Sequence, residues 1–401
     1  MTFCLKGEGV DAVHCRIVAS GNRYELDNLS EGSGTWVKLR SDRGLPIREG
    51  DKLTIDGRLV AVDSTESGRL TFEGIENESN SLVLDDSGIR CINDTVEAFL
   101  KLSTLHELVP NDIIRLGSLR FEVHRYNFAS ASVQGIRPTM EDEDFCRDGF
   151  LVGESRLSVF NVYDGHGGFD ASKFLKHRFH KYFADCLRDG PAGSATIVHA
   201  LEQSFAIADS DLLLHTKERG LSANVGAVVS SVVIDQYGNI FCANLGDSRA
   251  VLSLADGGVV QLSRDLKPNL PEETERIKRC GGVVVNNRVN GRLAVSRALG
   301  DFEYKTPGGV ETMVSAVPEI RMHVATGKER FVVLACDGLF DVMTSADAVQ
   351  FVNDRIAQAV NKRMHPDPSH ICVDLVTECV IKRGTTDNVT VVVIFLTPFL
   401  E

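Results

Sequence analysis

The sequence predicts an all-β N-terminal region followed by one large domain of the α+β class. Residues 1–126 contain short alternations of apolar and polar residues, separated by turns rich in Gly, Asp, Asn and Ser, a pattern typical of a β-sandwich. From about residue 130, strand-like apolar runs alternate with segments whose apolar residues recur at helical spacing. The length of 401 residues agrees with such a division, because domains average roughly 150 residues.

The N-terminal region is predicted to contain two related β modules, residues 1–66 and 67–126. Residues 45–62 (LPIREGDKLTIDGRLVAV) align with residues 106–123 (HELVPNDIIRLGSLRFEV) at a shift of 61 positions. The alignment places Asp51 on Asp112. A tandem repeat and a chance match between two hairpins of similar pattern both explain it, and the sequence leaves both open.

The large domain, residues 127–401, is predicted to alternate strands with helices. The strand-like runs are residues 157–163, 228–234, 240–244, 331–335 and 389–396. The helical patterns are residues 171–187, 194–217, 271–280, 346–359 and 368–382. Pro271 suits the first turn of its helix, and the Gly281-Gly282 pair suits its end.

Composition and charge exclude several classes of protein. The chain has 43 Lys and Arg against 56 Asp and Glu, a net charge of −13, which argues against a broad nucleic-acid surface. No apolar run approaches the ~18 residues of a membrane helix, and the N-terminus lacks the pattern of an export signal. The ten cysteines form no C-x-x-C pair, which favours reduced thiols. We therefore expect a cytoplasmic or nuclear protein without membrane or nucleic-acid partners.

Acidic residues stand where apolar strands end. Asp164, Asp247 and Asp337 each follow such a strand beside a glycine, and Asp387 precedes the last strand. A solvated turn would explain any one of them, because Asp and Gly are common in turns. Four such sites beside strongly apolar strands indicate a cleft for hard divalent cations, which prefer carboxylates, carbonyls and water. Another acidic cluster, residues 140–144 (MEDED), lies upstream.

Seven motifs of the large domain carry a family resemblance. They are residues 135–142 (GIRPTMED), 162–168 (VYDGHGG), 243–252 (ANLGDSRAVL), 293–301 (LAVSRALGD), 314–320 (VSAVPEI), 334–343 (LACDGLFDVM) and 384–390 (GTTDNVT). With these motifs in order, residues 130–395 resemble a metal-dependent serine/threonine protein phosphatase of the protein phosphatase 2C type. The resemblance implies a four-layer α-β-β-α sandwich that hydrolyses phosphoserine and phosphothreonine in phosphorylated protein substrates.

The resemblance also implies roles for individual residues. The implied catalytic residues are Arg137, Asp164 and His166, and the implied metal-site residues are Glu141, Asp142, Asp164, Gly165, Asp247, Asp337 and Asp387. Asp164 would bridge two Mg²⁺ or Mn²⁺ ions, and Asp247 with Asp337 would form a weaker third site. A water bridging the two metals would attack phosphorus in line. Arg137 would bind the phosphate, and His166 would protonate the leaving alkoxide.

The sequence alone leaves three alternatives open. Arg137 could form a surface ion pair with Glu141 or Asp142, and His166 could be a structural histidine in a glycine-rich turn. The whole domain could be a catalytically weak or inactive adaptor that binds phosphorylated partners. The intact acidic set favours the enzyme, because a pseudo-enzyme would be free to lose at least one of these residues.

Three segments depart from the family pattern without removing an implied metal ligand. The strand after Gly226 reads Ala-Val-Val-Ser where small hydroxyl residues are usual, Phe340 replaces a usual Trp, and residues 265–268 (DLKP) lack a usual His. Residues 286–292 (NNRVNGR) would form part of a flap beside the cleft. Arg288 and Arg292 of this flap would either bind acidic or phosphorylated substrates or lie in a solvated loop.

Residues 14–62 resemble a forkhead-associated domain, a β-sandwich that binds phosphothreonine peptides. The resemblance rests on residues 13–17 (VHCRI), 24–27 (YELD) and 32–37 (GSGTWV). Asp11 stands where that family has Ser, and an aspartate would repel a phosphate. The resemblance implies a β region for protein docking or regulation, with the second module as a degenerate copy.

Overall fold

A computed structural model describes residues 125–152, 155–187, 193–305 and 311–397, together with the strands of residues 1–124. The chain divides into two compact units, Met1–Arg125 and Tyr126–Glu401. No helix in this described part of the chain is both long and apolar enough to cross a membrane.

The first unit is described through its strands alone. They are β1 (Cys15–Ser20), β2 (Arg23–Asn28), β3 (Thr35–Lys38), β4 (Lys52–Ile55), β5 (Arg58–Ser64), β6 (Thr71–Phe72), β7 (Leu82–Asp85), β8 (Gly88–Cys91), β9 (Ala98–Lys101), β10 (His106–Leu108), β11 (Ile113–Leu116) and β12 (Leu119–Glu122). The sheet orders are β1-β2-β10, β12-β11-β3-β9-β4-β5-β6 and β7-β8. The side chains of this unit lie outside the described residues, so the boundary at residue 66 and the forkhead-associated resemblance stay predictions.

The second unit is built on two antiparallel sheets. Its strands are β13 (Asn127–Val133), β14 (Glu143–Val152), β15 (Ser155–His166), β16 (Gly226–Ile234), β17 (Ile240–Leu245), β18 (Arg249–Leu254), β19 (Val259–Gln261), β20 (Val284–Val285), β21 (Arg288–Val289), β22 (Leu299–Gly300), β23 (Glu319–His323), β24 (Glu329–Ala335) and β25 (Val389–Phe395). One sheet has the order β13-β25-β24-β18-β19. The other has the order β14-β15-β16-β17-β23, with β22 paired to β16, and β20-β21 is a separate hairpin.

The helices of the second unit lie outside the pair of sheets. They are α1 (Asp170–Leu187), α2 (Ser194–Arg219), α3 (Pro271–Arg279), α4 (Asp337–Phe340), α5 (Ser345–Asn361) and α6 (Pro368–Thr377). The capping of α5 is explicit, because the Thr344 hydroxyl accepts from the Asp347 N–H while the Asp347 carboxylate accepts from Thr344 N.

Three apolar cores show how the layers stack. Between the sheets, β15, β16 and β17 meet β18, β24 and β25 around the fully buried Phe160, Val232 and Leu334. The other face of the β15 sheet packs on α1 and α2 around Phe179. The other face of the β24 sheet packs on α5 and α6 around Val352. Since alternate strand residues point to opposite faces, both sheets are buried on both sides, in the order helices, sheet, sheet, helices.

The predicted elements of this domain are present with shifted ends. The five predicted strands correspond to β15, β16, β17, β24 and β25, and the five predicted helices to α1, α2, α3, α5 and α6. Helix α6 ends at Thr377 and continues as a π-helical turn, Glu378–Lys382. The sequence pattern does not reveal β14, because a β-bulge between Arg147 and Phe150 interrupts its alternation.

The predicted flap, residues 286–292, contains β21 and the turn before it. Val289 anchors it in an apolar core shared with β16 and α3. Arg288 Nη1 donates to the backbone oxygen of Arg292 at 2.7 Å, and Arg292 lies 3.6 Å from Glu303. Both arginines therefore contact other residues of the same domain. Their binding of acidic or phosphorylated substrates stays a prediction.

Candidate metal centre and catalytic cleft

Three strand-end carboxylates converge at one place between the sheets. Asp164 lies two residues before the end of β15, Asp247 lies in the turn between β17 and β18, and Asp337 begins α4, separated from β24 by one residue. One carboxylate oxygen of each lies within 4.8 Å of the other two. Asp142 and Cys336 form a second such group with Asp164. Asp164 therefore belongs to both groups. A residue that contacts two ions would be expected in this position.

The electrostatics of these acids indicate that a cation would stabilise the cluster. Burial raises the pKa of Asp337 to about 8, helped by the charges of Asp247 and Asp341. Burial likewise raises the pKa of Asp142 and of Asp247 to about 6. The pKa of Asp164 is raised well above its usual range, first by burial and then by Asp337. Buried carboxylates that repel one another in this way are stabilised by a cation among them.

Two further observations fit a cation with oxygen ligands. Asp142 Oδ2 is buried and has no hydrogen-bond partner among the residues that the structure describes. Cys336, which sequence reasoning did not single out, is a poor ligand for a hard ion, because burial raises the pKa of its thiol well above the usual range. Its sulfur instead accepts a hydrogen bond from Thr390 N at 3.1 Å. The donor set is therefore one of carboxylate oxygens.

Glu141 lies at the edge of the cleft and outside both carboxylate groups. Its Oε1 accepts from the Thr139 hydroxyl at 2.7 Å, and its Oε2 accepts from Gly168 N at 3.1 Å. The Asn388 side chain fixes the same loop by accepting from Glu141 N and donating to the backbone oxygens of Gln134 and Thr139. Asn388, inside the last motif, thus acts as the organiser that sequence reasoning missed.

Close backbone approaches explain two glycines of the cleft. A Cβ on Gly165 would lie 2.4 Å from the backbone oxygen of Glu141 and 2.9 Å from Ser172 Oγ. A Cβ on Gly338 would lie 1.9 Å from the backbone oxygen of Asn388. Gly165 lets the end of β15 approach the loop of residues 134–141, and Gly338 lets α4 approach the residue before β25. The carbonyl of Gly165 as a metal ligand stays a proposal.

Arg137 pairs with a predicted metal ligand. Its Nη2 lies 2.5 Å from Asp387 Oδ2, and its Nε donates to the backbone oxygen of Thr386 at 3.3 Å. The sequence suggested Glu141 or Asp142 as the surface partner, and the structure has Asp387 instead. About half of the Arg137 side chain (52%) is exposed, so the guanidinium is accessible at the rim of the cleft.

His166 pairs with a carboxylate that the sequence did not single out. Its Nε2 lies 2.7 Å from Asp301 Oδ2, and the Asp301 side chain is 1% exposed. Burial lowers the pKa of His166, but the charge and hydrogen bond of Asp301 outweigh it, so the pKa is raised overall. Asp301 ends the motif of residues 293–301, and its position after a glycine was the available signal. The histidine is therefore held by a charged partner inside the cleft.

Lys267 is the cation nearest the outer part of the cluster. Its Nζ lies 3.6 Å from Asp247 Oδ2 and 3.7 Å from Asp341 Oδ1. Its charge opposes the burial that raises the pKa of Asp247. Lys267 lies in the segment of residues 265–268 that departs from the family pattern, and Asp341 follows Asp337 by one helical turn.

Comparison with known proteins agrees with this geometry. A family model described as protein phosphatase 2C matches residues 126–389. The chain is 36% identical over 279 residues to the probable protein phosphatase 2C T23F11.1 of Caenorhabditis elegans, which covers 68% of this chain and 74% of the relative. It is 33% identical over 281 residues to the probable protein phosphatase 2C 27 of Arabidopsis thaliana, covering 68% of this chain and 70% of the relative.

A solved structure shows the same fold. The crystal structure of a phosphatase from a pathogenic strain of Toxoplasma gondii superimposes with a TM-score of 0.57 at 22% identity, covering 68% of this chain and 93% of that chain. The convergent carboxylates, the family match and the relatives point to one conclusion. The chain belongs to the protein phosphatase 2C family, whose members are metal-dependent serine/threonine protein phosphatases.

Proposed function

We propose that this protein hydrolyses phosphoserine and phosphothreonine in proteins by in-line attack of water, with two Mg²⁺ or Mn²⁺ ions at its acidic cluster and a weaker third ion beside it. The observation that carries the proposal is the meeting of Asp164, Asp247 and Asp337 within 4.8 Å at buried strand ends. Such a cluster of partly buried carboxylates is costly without a cation, because buried charges require a compensating partner.

The residues present fit hard divalent ions. Asp164, Asp337, Asp387 and Glu141 would hold two ions, with Asp164 shared between them. Asp142 would accept from a water in the site, since its Oδ2 has no hydrogen-bond partner in the described structure. Asp247 with Asp337 would hold the third ion. When bound, the ions would activate a water and offset the charge on phosphate.

The chain's own side chains would position the substrate and move its proton. Arg137 would bind the phosphate through its planar guanidinium, which suits two phosphate oxygens. Its bond to Asp387 holds the guanidinium beside the cluster. His166 would protonate the leaving serine or threonine oxygen. Both side chains lie at the cleft that the carboxylates define.

The test is hydrolysis of a phosphothreonine peptide by the full chain with Mn²⁺, with and without a chelator. We expect turnover that the chelator abolishes, and a loss of at least about 100-fold in Asp164→Asn. Asp235→Asn is the control, because Asp235 is also an aspartate next to β16 but lies at the opposite end of that strand. Mn²⁺ binding without turnover in the wild type would support the inactive adaptor instead.

The N-terminal unit is proposed to dock or regulate, on its forkhead-associated resemblance alone. The experiment is titration of the Asp164→Asn full chain with a phosphothreonine peptide and with its unphosphorylated form. Saturating the cleft with inorganic phosphate separates the two sites. Binding that phosphate abolishes would place recognition in the cleft and leave the N-terminal proposal without support.

A further inference from the structure

The pair of His166 and Asp301 is created by strand register. In the β15–β16 pairing His166 stands opposite Gly226, and in the β16–β22 pairing Gly226 stands opposite Gly300, the residue before Asp301. The histidine and the aspartate therefore meet across Gly226, although 135 positions separate them in the chain. Three neighbouring strands fix the geometry of this pair.

The backbone around the pair is specialised to allow it. A Cβ on Gly226 would lie 2.4 Å from Asp301 Oδ2 and 2.6 Å from His166 Nε2. A Cβ on Gly300, whose φ is +86°, would lie 2.3 Å from the backbone oxygen of Val225. Asp301 itself has a φ of +53°, a left-handed conformation that is strained for a non-glycine residue. The backbone is therefore strained at the residue that carries this carboxylate.

The surroundings of Asp301 indicate that its carboxylate is directed at one hydrogen-bond partner, the His166 side chain. Its Oδ1 is buried with no hydrogen-bond partner in the described structure. A carboxylate can only accept hydrogen bonds, so the proton between the side chains lies on His166 Nε2. The other ring nitrogen, Nδ1, is then the one that can serve the substrate. A purely structural carboxylate would be expected to use both of its oxygens.

We propose that Asp301 is the positioning residue that orients the His166 imidazole for proton donation to the leaving group. The inference rests on the proposed role of His166. In the step, water oxygen bonds to phosphorus and releases one proton to solvent, while the phosphorus–oxygen bond to serine or threonine breaks. The electron pair of that bond goes to the side-chain oxygen, which takes the proton from His166 Nδ1. Solvent then returns a proton to the imidazole.

The experiment compares two substrates of the full chain with Mn²⁺. A phosphothreonine peptide releases an alkoxide that requires a proton, whereas p-nitrophenyl phosphate releases a stable phenolate that does not. We expect Asp301→Asn to lower kcat/KM for the peptide by about 100-fold, the lower end of general-acid contributions, and to affect the aryl phosphate much less. The ratio of the two kcat/KM values is independent of how much of the variant is folded.

Three further variants sharpen the test. His166→Gln is expected to show the same selective loss, and the double variant is expected to lose no more than His166→Gln alone, because residues that act as a unit are non-additive. If Asp301→Asn does not fold, Gly226→Ala replaces it, because this change inserts a methyl group between His166 and Asp301. It should likewise lower kcat/KM for the peptide much more than for the aryl phosphate. Asp209→Asn is the control, because Asp209 accepts from Gly300 N and Lys305 Nζ in the same segment.

The outcomes are distinguishable. A selective loss in His166→Gln with parallel losses on both substrates in Asp301→Asn would overturn the proposal and leave the role of His166 standing. An equal loss on both substrates in His166→Gln would remove the premise and overturn both. The proposal would also be overturned if the Asp209→Asn control lost kcat/KM selectively on the peptide. That result would show that any disturbance of this segment affects the peptide more than the aryl phosphate.

Discussion

Asp142→Asn should stabilise the metal-free protein at pH 8, although it alters a buried polar residue of the cleft. Asp142 is 5% exposed, and burial raises its pKa from 3.8 to about 6 against the opposing hydrogen bonds of Thr390 and Cys336. The charges of Asp387 and Glu141 add to the increase. Asparagine has nearly the same volume and carries no charge to desolvate.

The magnitude follows from linkage. Below pH 3.8 the carboxyl is protonated in both the folded and the unfolded chain, so its ionisation does not affect stability. Between pH 3.8 and about 6 the folded state holds a proton that the unfolded state has released, so the free energy of unfolding falls as pH rises. The shift of roughly two units corresponds to about 3 kcal/mol, all of it lost above pH 6. Asp142→Asn should recover that amount at pH 8 and almost none at pH 4.

The assay is urea unfolding of the chelator-treated full chain, followed by far-UV circular dichroism at pH 4 and pH 8. Asp235→Asn is the control, because Asp235 accepts hydrogen bonds from Tyr237 N, Asn239 N and Asn239 Nδ2 and should lose stability on substitution at pH 8. Addition of Mn²⁺ at pH 8 should stabilise the wild type more than Asp142→Asn. An equal difference between wild type and Asp142→Asn at both pH values would refute the reasoning.

Three other changes test neighbouring contacts. Gly338→Ala places a methyl group 1.9 Å from the Asn388 backbone oxygen and should cost about 3 kcal/mol in urea unfolding; an unchanged midpoint would contradict the close approach. Lys267→Met removes a charge 3.6 Å from Asp247 and should tighten the weakest Mn²⁺ site about tenfold in calorimetric titration, whereas unchanged affinity would exclude Lys267 as a competing cation. Arg137→Ala should lower kcat/KM on a phosphopeptide about 30-fold, since charge-assisted hydrogen bonds contribute roughly 1.5–3 kcal/mol, and no loss would remove it from substrate binding.

Much of the catalytic domain follows from local sequence, because its signals are local. The helix over residues 171–187 and the strand over residues 228–234 are set by the spacing of apolar residues, and the structure has α1 and β16 there. The spacing does not reveal β14, because its bulge between Arg147 and Phe150 breaks the alternation of apolar and polar residues. The acidic residues at strand ends are equally visible, because a charged residue directly after a buried strand marks the edge of a sheet.

The sequence by itself thus determined the elements, the family resemblance and the acidic residues offered to a cation. Tertiary structure decided which of them meet: Asp164 joins both carboxylate groups, Glu141 stays at the rim, and Arg137 pairs with Asp387, 250 positions away. The pairing of His166 with Asp301 has the same origin. The physical reason is that register across three strands, fixed by backbone hydrogen bonds and by glycines that admit close approach, is a property of the assembled sheets, and no single segment of the chain encodes it.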